Sequence, residues 1–264
     1  DQGSGGSSYE VRGQLRSAWQ VQATDGAFAA ILEDGSVVTW GGPRSGGDSS
    51  AVRDRLRSVR QVQATSRAFA AILEDGSVVT WGDPRSGGDS SAVQNELRSA
   101  WQVQATKEAF AAILEDGSVV AWGDPGSGGN SFAVRDQLRS VRQVQATDRA
   151  FAAMLEDNSV VAWGNAACGG DCSAVEDQLM GVKQVQATSS AFAAILEDGS
   201  VVTWGYPRSG GHSSSVQDQL RSVQRVQATR EAFAAILEDG SVVSWGFFRS
   251  GGDSSAVQDL LRNL

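Results

Sequence analysis

Apolar residues in this chain fall in short blocks that return at a fixed interval. The block AFAAILEDGSVVTWG at 27–41 recurs with small changes at 68–82, 109–123, 150–164, 191–205 and 232–246, each start 41 residues after the last. Such a period marks a repeat protein. Within the block, Ala27 to Leu32 is one apolar run and Val37 to Trp40 a second, with Glu33-Asp34-Gly35-Ser36 between them. Asp-Gly between two such runs predicts a β-hairpin, with a type I′ turn that needs positive φ at both central residues. The fourth copy has Asp157-Asn158, and Asn is the next most tolerant residue of left-handed φ. Neither run alternates apolar with polar, which is how strands covered on both faces read. Each Trp buries about 150–250 Å² in such a core. Gly41 and its copies follow the Trp every time, which predicts positive φ or a close backbone approach.

The rest of the period, taken from 20 to 60, adds a strand at Gln20–Thr24. Then come two residues that change in nearly every copy: Asp25-Gly26, Ser66-Arg67, Lys107-Glu108, Asp148-Arg149, Ser189-Ser190 and Arg230-Glu231. They read as an exposed turn. A Gly-rich loop follows the hairpin, typified by GDPRSGGDSS at 82–91. After it Val52, Leu56 and Val59 are spaced i, i+4, i+7, one face of a short helix near 49–57, with Asp48 or Ser49 as cap. A fourth, outer strand is the rival reading. The expected fold is therefore mainly β: a propeller-like repeat array of six 41-residue units, each of three strands plus a short helix or outer strand.

Length alone allows two domains, but the unbroken period predicts a single repeat domain over 1–264. Segments 1–18 and 247–264 occupy the same part of the period, so six hairpin units stand beside seven loop-helix segments. A closed ring, the favoured expectation, brings those end segments together. An open array leaves them as caps. The chain opens at the position just after a Trp-Gly pair, as a processed product or a piece of a longer array would.

The order of features resembles the regulator of chromosome condensation repeat. The matching residues are Val21-Gln22-Ala23-Thr24, the two variable residues Asp25-Gly26, Ala27 to Leu32, Asp34-Gly35, Trp40-Gly41 and Gly46-Gly47, and the match extends over all six copies. The resemblance implies a β-propeller, usually of seven blades. This sequence departs from it in a shorter period, in Thr24 where the family has Gly, and in Ala27 and its copies where the family has His. The Trp-Arg-His turn of the family's plant ultraviolet-B receptors and its appended ubiquitin-ligase domain have no counterpart here.

Candidate chemistry is sparse. The net charge of −9 disfavours general nucleic-acid binding and allows a partner with a basic surface, such as a histone tail. No apolar run approaches the length of a membrane helix. His212, the one histidine, reads as a polar loop residue, since neither a serine triad nor a His-based metal site assembles around it. The carboxylates recur with the period, as turn residues do. The GGDSS loop lacks the Lys of a phosphate loop. No cofactor and no metal are expected.

Cys168 and Cys172, the two cysteines, share one loop. A local disulfide is the favoured reading, worth about 2 kcal/mol and hinting at a secreted or lumenal compartment; two free thiols are the rival. Trp19 and Trp101 replace Arg60, Arg142, Lys183 and Gln224. They cover an edge of the core or face a partner. The position after Trp-Gly is Gly42, Asp83, Asp124 and Asn165, then Tyr206 and Phe247, with Phe248 following. These three aromatics are the candidate partner-binding residues. The bland alternative is that the two phenylalanines seal the end of the core. Uniform strands with varied loops predict a non-catalytic protein–protein interaction scaffold. The alternatives are a carbohydrate-binding propeller and, less favoured, an enzyme.

Overall fold

The computed structural model describes residues 7–9 and 11–255. Much of the two end segments, 1–6, 10 and 256–264, lies outside that range, and so does the expected approach of those segments to each other. Among the described residues the strands form six three-stranded antiparallel sheets, one per repeat, paired in sequence order. In the second repeat the strands are Val59–Ala64, Ala68–Leu73 and Val78–Gly82. The other five repeat this pattern, so the mainly-β, six-unit expectation holds. The chain divides into two compact units, Asp1–Arg135 and Asp136–Leu264, with three repeats in each.

The hairpin is in the expected place, but its turn differs. Gly35 N–H bonds Leu32 C=O at 2.9 Å and Leu32 N–H bonds Ser36 C=O at 2.9 Å. Gly35 has φ of 75°, while no aspartate is among the non-glycine residues of positive φ. The turn therefore needs one left-handed residue, not the two of type I′, and has the form of a type I turn closed by a glycine bulge. Asn158, with φ of 66°, takes the glycine's role in the fourth repeat.

The strands are covered on both faces because successive sheets pack against each other. At the first junction Ala27, Ala29 and Ile31 of one middle strand meet Leu56, Val59 and Val62, together with Phe69, Ala71, Val79 and Trp81 of the next repeat. Within a unit, a middle strand thus presents one face to the next repeat and the other to the preceding one. The same set recurs at the second junction of the first unit and at both junctions of the second. Phe69 stacks on Trp81 at 5.2 Å, and the Trp81 indole N–H donates to the Gly46 carbonyl of the preceding loop at 3.0 Å. Gly46 has to be glycine: a Cβ there would lie 2.6 Å from the Phe69 ring.

The short helix expected near 49–57 is a 3-10 segment, Ser50–Arg55 in the first repeat and three residues, Ser91–Val93, in the second. The i, i+4, i+7 spacing spans two elements: Leu56 ends the segment, and Val59 already opens the next strand. Of the two expected caps, Asp48 accepts the Ser50 N–H at 2.9 Å, while the Ser49 side chain caps nothing. A second 3-10 turn, Pro43–Ser45, lies inside the Gly-rich loop.

Candidate interaction surface

The two variable stretches lie at one end of the sheets. The N–H of Gly42, just after the last strand, bonds the Gly26 carbonyl of the first turn at 2.8 Å. A threonine ties them further. In the second repeat the Thr65 hydroxyl accepts the Ala68 N–H at 3.0 Å and donates to the Ser86 carbonyl in the Gly-rich loop at 2.9 Å. This is the position at which the sequence departs from the family's Gly, and the hydroxyl gives that departure a structural role. The loop is thereby a fixed platform, and the residue after Trp-Gly stands at its rim.

In the fifth and sixth repeats that platform carries Tyr206 and Phe247. Their backbones are anchored alike: Tyr206 N–H to Ser190 C=O and Phe247 N–H to Glu231 C=O, both 2.8 Å. Tyr206 is 48% and Phe248 62% exposed, while Phe247 is half-buried. Phe247 and Phe248 meet edge to face at 5.0 Å. The Arg208 guanidinium, from the Tyr206 loop, lies 4.1 Å from the centre of the Phe247 ring, and Arg249 lies 5.4 Å from that of Phe248. Arg208 and Arg249 are the residues the sequence reading missed. The signal was present: the loop arginine occurs as Arg44, Arg85, Arg208 and Arg249, but is Gly126 and Ala167 in the middle repeats. Among the described residues it covers a ring beside Phe247 and Phe248.

Other candidates lie elsewhere. Trp19 and Trp101 sit where the pairing register shifts, between Ala18 and Gln20 and between Ala100 and Gln102. A bulge re-aims a side chain, and these two are 57% and 39% exposed rather than covering a core edge. Cys168 and Cys172 are free thiols in the structure, so the expected disulfide is absent. Both replace loop serines and pack partly against the junction core of their unit. Burial raises the Cys172 thiol above its ordinary value. Cys172 stands where Ser90 bonds Thr80 at 3.0 Å. The fourth repeat has Ala162 in place of that threonine, and the Cys172 thiol interacts there with the Ala162 backbone rather than with a side-chain hydroxyl. His212 Nδ1 lies 3.4 Å from the Ser214 hydroxyl. Among the described residues no three His, Cys, Asp or Glu side chains converge as a metal site would require, and no helix is long and apolar enough to cross a membrane.

The fold is that of the regulator of chromosome condensation propellers. The structure matches Prp20p from Saccharomyces cerevisiae with a TM-score of 0.54 and 17% identity, over 88% of this chain and 72% of Prp20p. It matches human WBSCR16 with a TM-score of 0.53 and 16% identity, over 86% and 76% of the two chains. A third match is the CRINKLY WD40 ectodomain of the Arabidopsis thaliana receptor kinase ACR4, with a TM-score of 0.50 and 17% identity over 87% and 79%. Prp20p is described with binding properties to Gsp1p and histones, and yeast RCC1 (Prp20) has been solved with Kap60 bound to it. No family model and no curated protein matches this chain.

Proposed function

We propose that this protein is a non-catalytic scaffold that binds another protein through Tyr206, Phe247 and Phe248, with Arg208 and Arg249 between and beside them. One observation carries this reading: two aromatic rings, one half-buried and one exposed, each overlaid by an arginine, on a loop platform whose other copies hold Gly, Asp or Asn. Aromatic residues and arginine dominate binding hot spots. The protein binding described for Prp20p, which has this fold, supports the class of function. The net charge of −9 favours a partner whose surface around the contact is basic, and the two arginines select carboxylates or carbonyls at its centre.

The test compares affinity capture from source-cell extract by the wild-type chain and by the triple variant Tyr206→Ser, Phe247→Ser, Phe248→Ser. Proteins retained by the wild type should be lost with the variant, while the melting temperature stays within a few degrees. Equal capture by both, or a collapse of the melting temperature, contradicts the assignment. Glycan-array binding that survives the triple variant would favour the carbohydrate reading instead.

A further inference from the structure

The arginines of this chain are mostly engaged by the chain itself. Arg60 and Arg142 donate to backbone carbonyls of the following repeat, at 3.0–3.1 Å and 3.0 Å. Arg135 meets Glu96 at 2.7 Å. At the rim of the second repeat a carboxylate is present: Asp83 accepts the Arg85 N–H at 2.9 Å and lies 3.9 Å from the Arg67 guanidinium. In the fifth and sixth repeats the rim residues are Tyr206 and Phe247, and Arg67's place is taken by Ser190 and Glu231. Glu231 accepts the Ser250 hydroxyl at 3.2 Å. The guanidiniums of Arg208 and Arg249 lie over rings instead. Both arginines are exposed, and among the described residues neither forms an ion pair or a hydrogen bond. A guanidinium carries its donors in its own plane. Lying over a ring gives up a face and leaves those donors held in place and free.

We propose that this rim recognises a short linear peptide segment with two carboxylates, from Asp or Glu, on either side of an apolar side chain; this rests on the reading of the rim as a protein-binding surface. A carboxylate matches the fork of a guanidinium with two parallel hydrogen bonds. The apolar side chain between them packs on the exposed rings of Tyr206 and Phe248. The two forks are linked through contacts of 4.1, 5.0 and 5.4 Å, so an extended segment of about five residues or fewer spans them. The net charge of −9 sets the limit on the occupant. A long acidic run, or a phosphate with its larger charge, is repelled by the rest of the chain. The fitting partner therefore carries these carboxylates in an otherwise neutral or basic surface.

The experiment selects binders to the full wild-type chain from a phage library of random peptides, and then measures one enriched peptide by fluorescence anisotropy. Enriched peptides should carry Asp or Glu on both sides of an apolar residue. Affinity should fall about tenfold or more with Arg208→Gln, with Arg249→Gln, or when the peptide's acids become amides. Arg208→Lys should lose nearly as much, because an ammonium keeps the charge without the fork. Both arginines are exposed, and circular dichroism melts check that each variant is folded. A library without binders, binders without acids, full binding by either Gln variant or by Arg208→Lys, or tighter binding of a phosphoserine peptide overturns the carboxylate assignment. If the Tyr206→Ser, Phe247→Ser, Phe248→Ser variant loses its protein partner while the arginine variants keep theirs, the rim stands as a binding surface and the carboxylate assignment alone falls. If that triple variant keeps both partner and peptide, the rim reading falls with it.

Discussion

At the scale of single residues, the fold rests on a few positions whose chemistry is repeated. Thr106, 4% exposed, accepts the Ala109 N–H and donates to the Ser127 carbonyl, both at 3.0 Å. Thr106→Val keeps the shape and leaves a buried amide and carbonyl without that partner, so urea unfolding should show a loss of about 1–3 kcal/mol. Gly82 has φ of 106°, and a Cβ there would lie 2.5 Å from the Arg67 carbonyl oxygen. Gly82→Ala should cost at least about 1–3 kcal/mol in the same assay.

The turn aspartates respond to acid. The Ser77 hydroxyl and then its N–H hold Asp75 below the ordinary value of 3.8. Asp34, Asp116, Asp157 and Asp198 have the same arrangement with the serine two residues on. In Asp48, Asp89, Asp171 and Asp253 the serine N–H is the larger cause. A carboxylate whose value is lower in the folded chain stabilises it above the unfolded value, and that stabilisation is lost as pH falls through the folded value. These groups are exposed, so each contribution is small. From the aspartates, melting temperature should stay level from neutral pH down to about 4 and then decline. A decline centred well above that range would assign the acid sensitivity to other groups.

At the scale of elements, the junctions carry the stability, and their strength depends on place in the array. Phe110 is 0% exposed, so Phe110→Ala should destabilise by about 3–5 kcal/mol. Phe28, half-buried in the first repeat, should cost clearly less when replaced by Ala. Equal losses at the two sites, measured by denaturant unfolding, would contradict the junction account. The strands, their order and their two-sided burial were legible because they follow from local apolar runs and turn residues. What was not legible depends on neighbours. The hairpin turn needs one left-handed residue, which Asp-Gly supplies as readily as the two of type I′. The apparent helix face joined Leu56 to Val59 across an element boundary, since spacing alone does not show where a chain turns extended. Arg208 and Arg249 belong to a loop motif that recurs along the chain, and only the fold shows a ring beneath each. The cysteines stand close in sequence, yet each fills a serine's place in the period. A chain isolated without reductant should titrate with two thiols, with Cys172 the slower to react because burial disfavours its thiolate.

At the scale of the whole molecule, six nearly identical sheets among the described residues carry a distinctive rim, the aromatic and arginine loops of the last two repeats. A uniform frame with one distinctive rim is how repeat proteins place a binding surface. The most direct test is site-specific photocrosslinking in source-cell extract, with a photoreactive phenylalanine analogue at position 248 and, as a control, at position 132. Phe132 is also exposed, at 80%, but it lies on a linking 3-10 turn rather than on the loop rim. The account predicts a discrete protein adduct from position 248 that the Tyr206→Ser, Phe247→Ser background abolishes, and none from position 132. An adduct from position 132 alone, or the same adducts from both, would contradict it.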